Sequence, residues 1–256
     1  MQTITFIGNG TMALSIAQGL KEKYHIEVVG RNMERLEAFE SALGKKIGKF
    51  QLEEFDITDK TVLLCVKPGN LESVSKTLKG KAKLLLSVLA GVPVEKLKKK
   101  IKAKAVVRAM PNLAASAGAS MTTLTGDADH REEAEVLMRG AGEVLWLENE
   151  KELDIATALA GSGPAYLSLI AEALADGAVN QGLKRDDAMK VMRGLFGGFG
   201  VLIQEMHPAL LKDGVMSPGG TTAAGYKALE QGKVRAACME AIEKAYQKAL
   251  TLANPQ

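Results

Sequence analysis

The chain has 256 residues, 46% of them hydrophobic and 25% charged, with a formal net charge of +3. This is the balance of a folded globular protein of one large or two ordinary domains, and it excludes a disordered or low-complexity chain. With only six Phe, four Tyr and one Trp there is little on which to stack bases, so no nucleic-acid partner is expected, and the one basic run, Lys96–Lys104, reads as a solvated helix face.

In chain order, short apolar runs alternate with helical patterns over the first 149 residues. Strands are expected at Thr3–Ile7, Ile26–Val29, Thr61–Val66, Leu84–Val88, Ala105–Arg108, Ser120–Leu124 and Val144–Leu147. Helices are expected between the first five, near Thr11–Lys23, Met33–Leu43, Leu71–Leu78 and Val94–Lys102. Asp129 with Glu132 makes a capping-box signal for a further helix, and Asn149 with Glu152 makes another. From residue 150 to 256 the strand pattern stops and everything reads as helix: Glu150–Ala160, Pro164–Gln181 starting at its proline, Arg185–Met206, Pro208–Lys212, Thr222–Gln231 and Val234–Leu252. The βαβα order predicts an α/β fold, a Rossmann-type, mostly parallel sheet with helices on both faces over 1–149. An all-helical domain follows over 150–256. Its segment RGLFGGFGVLI sets Gly194, Gly197, Gly198 and Gly200 inside an apolar helix. Each costs about 1 kcal/mol against Ala, which close approach of another helix would offset, and a subunit interface is the expected use of this half.

Two cysteines, Cys65 and Cys238, lie far apart without CxxC spacing, which predicts free thiols and a cytoplasmic protein. The strand-like QTITFIG at the start predicts no signal peptide. No apolar stretch reads as long enough to span a membrane. His25, His130 and His207 are dispersed, so no metal site is expected.

The loop FIGNGTMA, Phe6 to Ala13, has the G-x-G-x-x-A form of a dinucleotide fingerprint between a strand and a helix. Gly8 permits the tight turn, Gly10 lets the pyrophosphate reach the backbone, and Ala13 suits helix–strand packing. Asn9, Thr11 and Met12 complete the loop and the helix N-terminus, whose free N–H groups suit phosphate. The second expected strand ends Val28-Val29-Gly30 and is followed by Arg31 and Asn32, with no carboxylate to take ribose hydroxyls. A guanidinium beside an amide fits a 2′-phosphate, so NADPH is favoured over NADH. Val66-Lys67-Pro68, Leu89-Ala90-Gly91 and Met110-Pro111-Asn112 end later strands on the same carboxyl edge. Asn112 is either a cofactor contact near the nicotinamide or a turn former. A second loop, SPGGTTAAGY from Ser217 to Tyr226, leads into a helix and is also rich in groups that hold an anion.

In the helical half the runs GSGPAY (Gly161–Tyr166), ALADGAVNQGLKR (Ala173–Arg185) and HPALLKDGVMSPGGTTAAGYKALE (His207–Glu230) are long and specific. With GNGTMA, VKP and MPN in order and spacing, the chain resembles the pyrroline-5-carboxylate reductase family over nearly its whole length. The resemblance implies reduction of 1-pyrroline-5-carboxylate to L-proline with NAD(P)H, the last step of proline synthesis. It also implies a homodimer, or a higher assembly, whose helical domains interleave. It implies that Ser217 and the backbone around Gly219, Gly220 and Thr221 hold the substrate carboxylate. Thr222 matches a threonine that bonds the ring nitrogen, and Glu205 an acidic residue lining the same pocket. The chain departs from the family's M-P-N-T-P in reading Met110-Pro111-Asn112-Leu113-Ala114. It has Gln51-Leu52-Glu53-Glu54 where an Asn is frequent, and Gly214 where a polar residue is common.

The chemistry agrees with an imine. A carbonyl dehydrogenase needs a Lys or His beside the nicotinamide, and the segment Ala158–Gly163 has neither. An imine nitrogen carries its own proton, so the protein must chiefly orient the ring. Two rivals stay open at this stage: an NADP-dependent hydroxyacid or opine-type dehydrogenase, and a non-catalytic NADPH-binding protein. Ser162 lacks the setting of a nucleophile.

Overall fold

The computed structural model describes residues 1–53 and 55–253; Glu54 of the QLEE departure and the last three residues of the 150–256 region lie outside them. Eight strands form one sheet: β1 (Thr3–Ile7), β2 (His25–Gly30), β3 (Gly48–Gln51), β4 (Thr61–Leu64), β5 (Ala82–Ser87), β6 (Ala103–Met110), β7 (Ser120–Gly126) and β8 (Gly142–Trp146). Their order is β3-β2-β1-β4-β5-β6-β7-β8. All neighbours pair in parallel except β6 with β7. The helices α1 (Thr11–Leu20), α2 (Met33–Leu43), α3 (Leu71–Ser75), α4 (Val94–Lys100) and α5 (Arg131–Met138) come from the crossovers.

Period-2 alternation sends side chains to two cores. Ile4 and Phe6 of β1 and Leu63 of β4 pack with Ile16, Leu20 and Leu36 of α1 and α2. Ile7, Val62 and Leu64 pack on the other face with Leu71, Val74 and Leu97 of α3 and α4. A sheet buried on both sides is what a parallel arrangement requires. At one point helix and chain touch backbone to backbone: a Cβ on Gly19 of α1 would come within 2.4 Å of the Gly140 carbonyl oxygen.

β3 is absent from the sequence-based expectation. Its four residues, GKFQ, show no apolar alternation, and it adds to the sheet edge by pairing with β2. The capping box expected of Asp129 and Glu132 does not form. Asp129 lies inside a 3-10 turn, Ala128–His130, and His130 precedes α5 without a side-chain cap. Asp127 takes the polar role there, accepting from the Val106 N–H at 2.9 Å and pairing with Lys98 at 2.6 Å. Burial pushes its carboxyl up, but these partners outweigh that and hold it below the ordinary value.

Arg108 of β6 is 1% exposed and is the largest fully buried side chain. Its Nη1 donates to Glu150 and its Nη2 to Asp154, at 2.9 and 2.8 Å. Glu150 also accepts the Val94 N–H at 2.9 Å, so an acid from beyond β8 closes the open N-terminus of α4.

Helix α6 (Glu150–Ala156) begins as its signal predicts: Asn149 accepts the Glu152 N–H at 3.0 Å, and Glu152 accepts the Glu148 N–H at 3.1 Å. The start expected at Pro164 comes one residue earlier, at Gly163, and no break precedes it. A π-turn, Thr157–Gly161, carries α6 into α7 (Gly163–Asn180) with Ser162 still right-handed. The cause is local: Pro164 has no N–H for the Ala160 carbonyl four residues back, and Asn112 Nδ2 donates to that carbonyl instead, at 3.1 Å. The helical run Glu150–Asn180 is therefore 31 residues long, with a mean hydropathy of 1.2 in its most apolar window. By length and composition alone it could cross a membrane, contrary to the expectation that no apolar stretch is long enough to do so.

The chain divides into two compact units, residues 1–162 with the segment from Lys244, and Gly163–Glu243. The second holds α7, with α8 (Arg185–Glu205), α9 (Pro208–Val215), α10 (Thr221–Gln231) and the first half of α11 (Val234–Ala253). Among its described residues only Ala175 and Ala188 are buried hydrophobics, while Leu169, Val191, Val201 and Met239 are each more than 60% exposed. Among the described residues nothing approaches a Cβ built on Gly194, Gly197, Gly198 or Gly200 within 4 Å. The close approach expected at these glycines is not made among the described residues of this chain.

Candidate cofactor cleft and substrate loop

β1, β2, β4, β5 and β6 run the same way, so their carboxyl ends share one edge. Between β1 and β4 the chain order reverses, and there α/β sheets of this kind open a crevice. A cleft lies at that place. It is lined by Gly8, Asn9 and Gly10 after β1, by Arg31, Asn32 and Arg35 after β2, and by Cys65, Val66 and Lys67 after β4. Gly8 has φ +107, and a Cβ there would sit 2.7 Å from the Cys65 carbonyl oxygen; only glycine fits. A Cβ on Gly10 would meet nothing within 4 Å, which leaves open space against the backbone. Gly10 precedes α1 without a side-chain cap, so the first N–H groups of that helix face no acceptor of their own. A cradle of this form suits a pyrophosphate.

At the end of β2 the charge is positive. Among the described residues the side chains of Arg31 and Arg35 form no ion pair, and no carboxylate lines the cleft. Glu27, the acid nearest this end of the strand, is taken by the Thr5 hydroxyl at 2.8 Å and by Lys60 at 2.9 Å. Asn32 uses its amide oxygen to cap α2 through the Arg35 N–H at 3.0 Å, leaving its NH2 group for other use. Arg35 is absent from the sequence-based candidates. Its place in the first turn of α2, directly after the cap Asn32, is the signal that could have found it.

The cleft brings together Gly8, Asn9, Gly10, Arg31, Asn32, Val66 and Lys67. Thr11, Met12, Pro68, Ala90 and Asn112 stand at the same sheet edge outside its lining. Asn112 serves as a turn former. Its Oδ1 accepts from the Ala114 N–H at 3.0 Å while its Nδ2 holds Ala160. Cys65 is free, and burial pushes its thiol up, so it is an inert wall rather than a nucleophile.

In the helical unit Ser217-Pro218-Gly219-Gly220 forms a type II turn. Pro218 stands at its second position, Gly219 at φ +71 in its third, and the Gly220 N–H donates to the Ser217 carbonyl at 3.0 Å. The turn delivers Gly220 as the residue before α10, without a side-chain cap and with no acid in the first turn. The helix starts one residue earlier than its pattern predicts, making Thr221 and Thr222 its first two residues. A Cβ on Gly220 would lie 2.4 Å from Ser217 Oγ, so a larger residue there would turn that hydroxyl aside. The hydroxyls of Ser217, Thr221 and Thr222 are spent on no partner among the described residues, so the loop offers hydroxyls and free N–H groups together. Glu205 ends α8, exposed and without an ion pair among the described residues.

Residues 150–252 match the family described as pyrroline-5-carboxylate reductase dimerisation. Residues 3–91 match the one described as NADP oxidoreductase, coenzyme F420-dependent. A Synechocystis protein named pyrroline-5-carboxylate reductase is 36% identical over 96% of this chain and 96% of its own. The chain belongs to the pyrroline-5-carboxylate reductase family. Among solved structures, a 1-pyrroline-5-carboxylate reductase from Streptococcus pyogenes superposes with a TM-score of 0.86 at 31% identity, covering 97% of this chain and 98% of that one. A Plasmodium falciparum pyrroline carboxylate reductase with NADP bound has a TM-score of 0.80 at 24% identity, covering 98% and 100%, which is a likeness of fold. The family is one of oxidoreductases acting on CH–NH bonds and using a nicotinamide nucleotide. Its dimerisation region coincides with the exposed apolar helices, including the long run that begins at Glu150.

Proposed function

We propose that the protein reduces the cyclic imine 1-pyrroline-5-carboxylate to L-proline with NADPH, working as a homodimer through its helical region. The observation that carries the reading is the pairing of two anion cradles of different build in one chain. One is the Gly8–Gly10 turn with Arg31 and Arg35 beside it; the other is the Ser217–Gly220 turn opening α10. The first suits a dinucleotide carrying an extra phosphate, the second a small carboxylate. A bound nicotinamide nucleotide would supply the hydride for C5 of the ring. The residues of the chain do the rest by position. Ser217 and the backbone from Gly219 to Thr221 hold the carboxylate. The Thr222 hydroxyl accepts the N–H of the protonated imine, keeping C5 turned to the nicotinamide as the C=N electron pair closes onto nitrogen. Glu205 supplies negative charge for the iminium.

Assay of NADPH oxidation with 1-pyrroline-5-carboxylate, beside hydroxyacid and keto-acid controls, tests the reaction; folded protein with no imine turnover overturns it. Thr222→Ala is expected to lower kcat/KM for the imine about 10- to 100-fold, the worth of one bond to a charged group. Its NADPH affinity should stay near the parent's; a collapse of NADPH binding would mean that the loop serves the cofactor.

Arg31→Ala and Arg35→Ala are each expected to weaken NADPH about tenfold or more while changing NADH by less than about twofold. Cofactor titration of initial rates reads this directly. Equal losses with both cofactors would remove the assignment of these arginines to a 2′-phosphate.

A further inference from the structure

The type II turn at Ser217–Gly220 is carried between two short helices that have no buried residue of their own, α9 and α10. Apolar packing inside the chain therefore does little to set the angle at which α10 presents Thr221 and Thr222. A polar cluster spans the gap instead. From α9, Lys212 lies over the ring of Tyr226 in α10, its Nζ 5.5 Å from the ring centroid. Lys212 is also paired with its neighbour Asp213 at 2.7 Å. The Tyr226 hydroxyl donates to Glu230 one turn on, at 2.8 Å. Arg235 of α11 reaches back with Nη2 to the Tyr226 hydroxyl at 2.7 Å and forms an ion pair with Glu230. It does so across a turn in which Lys233 holds φ +56, a left-handed conformation costly for a residue with a side chain. Tyr226 follows Thr222 by four residues, so the two share a face of α10.

We infer that Tyr226, Glu230 and Arg235, with Lys212, are positioning residues that hold the carboxylate loop in its working shape. They tie the helix before the loop, the helix after it and the next helix into one brace around the Tyr226 ring. None touches the reacting atoms; they act through the start of α10. The ring supplies the surface on which a cation is favoured, and its hydroxyl links the two charges beyond it. The inference rests on the reading of this loop as the substrate carboxylate site.

The test uses the full-length protein. Tyr226→Phe keeps the ring under Lys212 and removes the hydroxyl link; Arg235→Gln removes the ion pair; Arg235→Lys restores the charge. Steady-state kinetics should give Tyr226→Phe and Arg235→Gln a KM for 1-pyrroline-5-carboxylate raised about three- to fivefold, as expected for one or two exposed polar contacts. The KM for NADPH should not move, and Arg235→Lys should recover part of the loss. Hydrogen exchange at the amides of Ala224, Gly225 and Tyr226, the first of α10 to be hydrogen-bonded, should quicken by a similar factor in the first two variants and not in α1. Unchanged exchange at these amides overturns the brace, whether or not the imine is turned over. Faster exchange there with parental KM for the imine also overturns it, by separating the brace from substrate binding. A wild-type protein that does not reduce the imine overturns the assigned substrate alone, and the exchange data then decide the brace.

Discussion

Arg108→Met is expected to cost about 3 kcal/mol of unfolding free energy, the lower end of what is lost when one member of a buried ion pair is removed. The side chain is 1% exposed and joins two carboxylates brought from a helix more than forty residues away. Without the guanidinium, Asp154, itself 8% exposed, keeps a negative charge in a place poor in water. Glu150 is more open, with 35% of its side chain exposed, and retains the Val94 N–H, so its share of the loss is smaller. Urea unfolding at fixed protein concentration measures the effect. Adding Asp154→Leu should return much of the loss, because the orphaned charge goes with it. An Arg108→Met protein within about 1 kcal/mol of the parent would mean that these carboxylates do not depend on the guanidinium.

Gly8→Ala is expected to be the most damaging single methyl in the cofactor cleft. The new Cβ would be placed 2.7 Å from the Cys65 carbonyl oxygen and 2.9 Å from its carbon. Both are backbone atoms of the segment leaving β4, tied to β1 by the Cys65 N–H bond to Ile7 at 2.9 Å, so neither can swing aside. The substitution adds a strained φ to an overpacked contact, about 2–5 kcal/mol together. The loop must move, and with it the N–H groups aimed at the pyrophosphate. NADPH affinity is expected to fall more than about tenfold, as bonds to a charged group are lost. Fluorescence titration with NADPH and thermal unfolding of the variant check both halves. Gly10→Ala is the instructive partner, because its Cβ meets no protein atom. It should fold like the parent and lose affinity only where the methyl stands in the cofactor's own place.

The α/β half was largely legible because its signals are local. β1 and α2 have the bounds their patterns predict, and the Gly8-x-Gly10 turn sits where a strand-to-helix fingerprint should. β3 was not legible, since an edge strand of GKFQ is held by pairing with β2 rather than by an apolar face. The π-turn was hidden for a different reason. Its missing proline donor is made good by Asn112, 48 residues earlier, and nothing near Gly161 announces that bond. In the candidate site, the loop from Ser217 was legible as a Gly- and Thr-rich segment leading into a helix, and the structure makes Ser217–Gly220 a type II turn. Arg35 escaped because it stands inside a helix whose start drew attention to Arg31 and Asn32 only. In the cluster around Tyr226 only Glu230 stands at a helical spacing, and the links to Lys212 and Arg235 cross turns that carry no pattern of their own.

The π-turn at Thr157–Gly161 also acts as a shift of frame. A π-turn holds one residue more than the α-turn it replaces, so each later position is rotated by about 100° against an uninterrupted helix. A one-residue deletion between Thr157 and Gly161 would thus change no residue type outside the turn and still change the helical phase at its end. In this stretch of chain, length carries as much information as composition.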